Sequence, residues 1–360
     1  MNELVKLISE FCPNGVAYLP LEQCCSILDN RRKPVTKAAR EAGEYPYYGA
    51  NGIQDYVSDY IFDGTFVLVG EDGSVVTPAG TPVVTWATGK IWVNNHAHII
   101  EEKDGVLLRF LFHYLQNVNV SSLIHGNIPK LTGGDFRAIR IPLPPLPVQQ
   151  EIVRILDNFT ELTAELTAEL AARRKQYEHY RDELLTFGDD VPEATLGDIC
   201  DFKYGKGNNI PTEHGNYPVY GCNGVVATTN TFNSEDAPVI GHIGSAGIVN
   251  WGAGKHYVTY NGTICNVKSD KMISRYAYHL LCSLHLERFV KGSQPFLSYG
   301  DFSKETVSVP PIEKQQRIVT ILDRFDTLCN DLTSGLPAEI AARQKQYEYY
   351  RDKLLTFKEL

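Results

Sequence analysis

Two long stretches of the chain carry apolar residues at spacings that alternate between three and four. In 148–187 these are Ile152, Ile155, Phe159, Leu162, Leu166, Leu170, Tyr177, Tyr180, Leu184 and Phe187, with Arg173 filling one slot. Glutamate, lysine and arginine occupy the other faces. This is a heptad seam with one four-residue stutter, and it predicts a helix packed lengthwise on another helix. Forty residues would make a rod of about 60 Å, and such a rod cannot bury its own stripe. The second stretch places Ile318, Ile321, Phe325, Leu328, Leu332, Leu336 and Ile340, then Tyr347, Tyr350, Leu354 and Phe357. Gly335 and Pro337 interrupt it and predict a break near 334–337. The matching place in the first stretch is TAELTAEL at 163–170, a tandem of strong helix formers, so the first rod should be continuous.

Elsewhere the pattern changes to short alternating runs such as TFVLVG (65–70), PVVTW (82–86), APVIGHI (237–243) and HYVTY (256–260), punctuated by glycine and proline. These predict strands joined by turns. Helices are predicted at 105–119 and 273–290, and a short amphipathic helix at the amino end. The globular regions therefore read as α+β.

Self-comparison explains the arrangement. AARRKQYEHYRDELLTF (171–187) returns as AARQKQYEYYRDKLLTF (341–357), with fourteen of seventeen positions identical. PPLPVQQEIVRILDNF (144–159) matches PPIEKQQRIVTILDRF (310–325), and HGNIPKLTGGDF (125–136) matches KGSQPFLSYGDF (291–302). YPYYGANG (45–52) matches YPVYGCNG (217–224), and VGEDGSV (69–75) faces IGHIGSA (240–246). The chain is thus one unit written twice. Its segments are a globular region at 1–147, a helix at 148–187, a second globular region at 188–311 and a second helical segment at 312–360. The helical parts are near copies, which suggests two nearly identical contacts and helices that pack on each other. An antiparallel pair would make the globular regions pseudo-twofold mates. The globular parts have diverged, which suggests two different ligands.

Charge and composition narrow the classes. The formal net charge is −9 and the pI is near 5.6, which argues against a generic polyanion binder but not against local basic loops. Any strong grip on phosphate would then come partly from a partner. The eight cysteines form no CxxC pair and read as free thiols. No apolar run spans a bilayer and no secretory leader is evident, so a cytoplasmic location is expected.

Against the acidic background, DNRRKPVTKAAR (29–40) holds Arg31, Arg32, Lys33, Lys37 and Arg40, and KYGKGNNIP (203–211) offers Lys203, Lys206, Asn208 and Asn209. Arginine and lysine suit phosphate and guanine edges, and asparagine suits adenine. The same composition also suits a solvated loop. Lys130 and Lys291, in the matched 125–136 and 291–302 stretches, join these candidates. His96 and His98 stand two apart with no nearby carboxylate in the sequence, and read as structural rather than as metal ligands. The phosphate-loop, HExxH and [ND]PP[YF] signatures do not occur in the sequence, and no catalytic constellation is assigned.

The paired PLPPLPVQQEIVRILDNF and VPPIEKQQRIVTILDRF segments, the TAEL tandem, GLPAEI, the two KQYE–YRD–LLTF segments and the glycine-rich YPYYGANG and NGTICNV resemble the specificity subunit of type I restriction-modification systems over essentially the whole length. The resemblance implies two target-recognition domains, each reading one half of a split double-stranded DNA target. It implies that the repeated helices hold them apart and dock two methyltransferase subunits, with restriction subunits completing the complex. S-adenosylmethionine, ATP and magnesium would then belong to the partners, with no cofactor, metal or catalysis in this chain. Two alternatives from other classes are a self-contained DNA methyltransferase or nuclease, and a purely structural scaffold.

Overall fold

From the amino end, α1 (Asn2–Phe11) leads into β1 (Ala17–Pro20), α2 (Leu21–Cys24), β2 (Ser26–Ile27), β3 (Ala42–Gly49), β4 (Gly52–Val57), β5 (Phe62–Gly70), β6 (Val84–Val93) and β7 (Ala97–Glu101). Then come α3 (Leu108–Leu115), β8 (Ile124–His125), β9 (Lys130–Leu131), α4 (Gly133–Ala138), β10 (Arg140–Leu143) and the 40-residue α5 (Leu146–Leu185). The second half supplies β11 (Glu193–Thr195), α6 (Leu196–Ile199), β12 (Cys200–Tyr204), β13 (Tyr217–Gly221), β14 (Gly224–Thr229), β15 (Ser234–Gly241), β16 (Val249–Val258) and β17 (Gly262–Val267). It continues with α7 (Ser274–Ser283), α8 (Tyr299–Phe302), β18 (Thr306–Ser308), α9 (Ile312–Asn330) and α10 (Leu336–Leu354). This computed structural model describes residues 2–207, 210–211, 214–268, 270–331 and 333–360.

The first rod is continuous across TAELTAEL, and the second is broken between Asn330 and Leu336, as the sequence predicts. The break holds Gly335, where an added Cβ would lie 2.5 Å from the Thr327 carbonyl, so only glycine lets the chain fold back on α9 here. The two predicted globular helices are shorter than expected. Gly105 (φ +85) closes a turn ahead of α3, and His285 (φ 49) stops α7 before a 3-10 turn at Leu286–Phe289.

The chain divides into two compact units that cut across the sequence repeat: residues 1–165 with 340–360, and residues 166–339. Each contains a six-stranded mixed sheet. The order is β2-β7-β5-β6-β3-β4 in the first unit and β12-β17-β15-β16-β13-β14 in the second, so each strand has a counterpart in the same place. In both, one parallel pair (β3 with β6, β13 with β16) sits among antiparallel ones.

Within the first unit, Val67, Ile100, Phe110 and Phe136 pack with Ile152 and Leu156 of α5 and Leu354 of α10. The chain end returns to this core: Val16 and Lys358 are hydrogen bonded at 2.9 Å, and the Tyr18 hydroxyl donates to the Phe357 carbonyl. The first part of α5 and α10 therefore run antiparallel. Phe159 stacks on Tyr350 at 5.4 Å. Within the second unit, Leu196, Ile240, Tyr276 and Phe302 pack with Tyr177 of α5 and with Ile318 and Leu322 of α9. There Phe325 stacks on Tyr177 and Tyr180. Phe159 and Phe325, like Tyr180 and Tyr350, are repeat mates. Each unit thus pairs the first half of one repeated helix with the second half of the other. That is why the helical text is written twice with so little change.

Of the remaining seam residues, Leu170 and Leu184 pack against the second core and Tyr347 against the first. Leu162 and Leu166 are half-buried, while Leu328 is at the exposed margin. Leu332 lies outside the described residues. Among the described residues no helix is long and apolar enough to cross a membrane.

Candidate nucleic-acid interface

The basic run at 29–40 does not present its cations uniformly. Arg32 turns inward. Its Nη1 donates to Glu71 Oε2 (2.6 Å) and to the Ala97 carbonyl (2.7 Å), and its Nε donates to the Asp29 carbonyl (2.9 Å). Only 13% of that side chain is exposed, and a guanidinium so buried needs these partners. Arg40 lies over the Tyr47 ring at 4.1 Å and bonds Asp55 at 3.2 Å. Arg31 is exposed and caps the Phe62 ring at 4.9 Å. Lys33 and Lys37 are exposed. Lys130 reaches Glu71 (3.2 Å), Lys203 reaches Asp201 (2.8 Å) and Lys291 reaches Asp301 (2.6 Å), all from exposed positions. Lys206 is exposed, and Asn208 and Asn209 lie outside the described residues.

The sequence gives His96 and His98 no carboxylate neighbours; the fold corrects this, because the carboxylates arrive from other segments. His96 Nδ1 bonds Asp72, and His98 Nδ1 bonds Asp29 Oδ2 at 2.7 Å while its Nε2 faces the Leu131 carbonyl at 3.0 Å. Asp29, Glu71 and His98 bring ligand-type atoms within 4.8 Å of one another. Arg32, however, already places its positive charge on Glu71, so the group is a closed ionic cluster. Burial alone would raise the Asp29 carboxyl; the His98 ring, the Ile99 amide and Arg32 together hold it below its usual range.

Three loops meet beside this cluster, and the second unit builds the same frame. In the first unit the Glu71 amide bonds the His96 carbonyl, Leu131 bonds Glu71, Gly73 bonds Pro129 and Asn94 bonds Tyr48, all at 2.8–3.0 Å. In the second, His242 bonds Asn261, Leu297 bonds His242, Gly244 bonds Pro295 and Thr259 bonds Tyr220, again at 2.8–3.0 Å. Gly70 and Gly241 make the close approach possible: a Cβ there would lie 2.9 Å from the Ala50 carbonyl and 2.5 Å from the Cys222 carbonyl.

The side chains on this common frame differ. Residue 72 bridges 130 as Asp to Lys, while the matching bridge from 243 to 296 joins Ile to Phe. Glu71, which holds Arg32 and Lys130, is replaced by His242. The His242 ring is buried among Tyr204 (4.1 Å), Phe296 (4.6 Å) and Tyr260 (5.5 Å). Its Nδ1 donates to the Leu297 carbonyl at 2.6 Å. The site is ionic in one unit and aromatic in the other. Beside the first frame a cavity of about 400 Å³ opens, lined by Asn51, Gln54, Asp72, Ser74, His96 and Ile128 among others.

A second constellation, which sequence reasoning missed, fastens each sheet domain to its helices. In the first unit Asp157 Oδ1 accepts from Arg109 Nε and His113 Nε2, both at 2.8 Å, and His113 Nδ1 meets the Tyr347 hydroxyl at 3.3 Å. In the second, Asp323 Oδ1 accepts from Arg275 Nε (2.7 Å) and His279 Nε2 (2.6 Å), and His279 Nδ1 meets the Tyr177 hydroxyl at 3.1 Å. Each arginine also lies on a tryptophan, Trp86 or Trp251. Burial holds both histidines below their usual pKa, outweighing the adjacent carboxylates. The neutral tautomer then donates through Nε2 and accepts from tyrosine at Nδ1.

Gln149 and Gln315 add a matching anchor. Each accepts a backbone N–H (Leu107 or Ile273, 2.9 Å) and donates to two carbonyls, those of Gly105 and Pro144 or of Lys271 and Pro310. The available signal was the survival of Arg109, His113, Gln149 and Asp157 as Arg275, His279, Gln315 and Asp323 at the constant offset of 166.

The comparisons with known proteins agree with this architecture. Residues 13–173 and 188–342 each match the family described as type I restriction modification DNA specificity domain. The chain is 37% identical to a Haemophilus influenzae protein named as a type I restriction enzyme specificity subunit, over 95% of this chain and 96% of that one. It is 34% identical to the Escherichia coli EcoR124I/EcoR124II specificity subunit, over 70% of this chain and 71% of that one. The crystal structure of the S subunit from the M. genitalium type I system superposes with a TM-score of 0.68 at 18% identity, covering 95% of this chain and 97% of that one, and so shares the fold. The chain therefore belongs to the family of type I restriction-modification DNA specificity subunits, the non-catalytic recognition components of those systems.

Proposed function

We propose that each sheet domain, 1–147 and 188–311, reads one half of a two-part sequence in double-stranded DNA. The helical segments 148–187 and 312–360 seat two methyltransferase subunits, through which restriction subunits join. S-adenosylmethionine, ATP and magnesium then act in the partners, and the complex works in the cytoplasm. One observation supports this most directly: the units share strand order and helix anchors residue for residue, yet differ in loop side chains. Equal anchors fit two copies of one partner, and unequal loops fit two half-sites.

Arg31, Lys33, Lys37 and Lys206 are the exposed cations suited to phosphate, with Lys130, Lys203 and Lys291 able to exchange a carboxylate for it. Because the chain as a whole carries −9, much of the electrostatic grip falls to the partners. The test is methyl transfer and duplex binding by the purified chain, with and without methyltransferase subunits. Sequence-selective methylation should require both components. Methyl transfer by this chain alone would overturn the reading.

A further inference from the structure

We propose that the loop frame beside Gly49–Gly52, and its counterpart beside Gly221–Gly224, is where each unit meets base edges, with Gln54 reading adenine and Val226 taking its place as an apolar reader. This rests on the DNA-reading function proposed above and assigns residues to it.

The two frames keep some polar groups and change others. Asn51 and Ser74 recur as Asn223 and Ser245, on backbones joined by the same hydrogen bonds. Two half-sites have the sugar–phosphate chain in common, so shared polar groups suit that contact. The bases are what differ, so the positions that vary on a constant backbone are the ones suited to reading them.

Gln54 stands out among these positions because it is exposed yet fixed. Its Oε1 accepts from Asn94 Nδ2 at 3.2 Å. Asn94 is 2% exposed and is itself held through its amide to Tyr48 and through Oδ1 to the His96 amide. The amide of Gln54 lies over Gly49, where a Cβ would come within 2.1 Å of Nε2. These contacts set which way the amide faces, leaving Nε2 as a donor and the second lone pair of Oε1 as an acceptor. That pair of groups matches N7 and N6 of adenine in the major groove. A side chain already fixed also loses little freedom on binding. At the matching place Val226 is 46% exposed beside Val225, and a branched apolar group suits the methyl of thymine. The Asp72–Lys130 and Ile243–Phe296 bridges continue the same contrast along each frame.

The experiment uses the full chain assembled with its methyltransferase subunits. Sequencing of methylated DNA first gives the target. Duplexes carrying that target, each single-base substitution of it, and 7-deazaadenine at each adenine are then the probes. Gln54→Ala should lose about ten- to hundredfold of discrimination at one adenine position of one half-site. Replacement of that adenine by 7-deazaadenine should weaken the unaltered complex and leave the variant unaffected. Gln54→Glu should move the preference there toward cytosine, and Val226→Gln should change only the other half-site. Unchanged discrimination at every position, or equal weakening on all duplexes, would overturn the assignment while leaving the DNA-reading function intact. No preference among duplexes by the unaltered complex would overturn both.

Discussion

In the first unit one backbone bridge carries aspartate against lysine, and in the second the same bridge carries isoleucine against phenylalanine. About the sheet's other contact region the units agree to the residue: arginine, histidine and aspartate meet tyrosine in both, and a buried glutamine holds the helix start in both. The contrast marks where this chain can vary. A buried polar cluster fails when any member is left unpaired, so both copies keep it whole. A loop whose backbone hydrogen bonds already satisfy its fold can exchange side chains freely, and has done so.

If the anchors are equivalent, breaking either should cost the same. Gln149→Leu leaves one backbone N–H and two carbonyls without their partner, and should destabilise its unit by about 3–4 kcal/mol. Gln315→Leu should do so equally. Urea unfolding, with hydrogen exchange at 105–115 and 271–281 to locate the loss, measures both. A difference above about 1 kcal/mol, larger than expected for independent equivalent sites, would break the equivalence. Asp157→Ala and Asp323→Ala form the next pair. Each strands a buried histidine; Arg109 also loses its carboxylate, whereas Arg275 keeps Asp326, so about 2–3 kcal/mol should be lost in the first unit, as for hydrogen bonds to charged groups, and less in the second. Conversion to asparagine should recover part of it.

Acid sharpens the same comparison. Burial lowers the pKa of His113 and His279 from 6.5, so the unfolded chain takes up protons first. Their contribution is complete above pH 6.5 and falls as the pH drops below it. Asp323, lowered from 3.8 by His279 and Arg275 against the opposing effect of burial, keeps its contribution until the pH falls through the carboxylate range. His113→Gln should flatten the upper part of that acid loss in the first unit only, as read by unfolding midpoints between pH 7 and 5. An unaltered slope would show that the histidine is not the group that titrates.

Much of this was legible in the sequence because it is periodic. The seam, the break at Gly335 and the uninterrupted TAEL tandem follow from spacing and helix propensity, and the strands, though not their order in the sheets, from short alternating runs between glycines and prolines. The anchors were not, because Asp157 sits at a position that reads as an outer face of the helix, and only the incoming Arg109 and His113 give it a role. Nor could the run Arg31-Arg32-Lys33 reveal which cation turns inward, since that depends on Glu71, 39 residues away. The carboxylates that pair with His96 and His98 were hidden for the same reason: Asp72 and Asp29 are distant in sequence.

The change smallest in energy is a geometric one. One extra TAEL after Leu170 adds ~6 Å and ~40° of helix to α5, while one base pair turns the duplex by about 34°. The spacer between half-sites should lengthen by one base pair with both halves retained, as methylome sequencing would show. An unchanged spacer would mean that this helix is not the ruler.

The most direct test of two-fold reading on one scaffold is to replace residues 1–147 with the corresponding domain of a relative and map the methylated sequence. One half of the target should change and the other should stay as it was. A change in both halves, or in neither, would contradict the account.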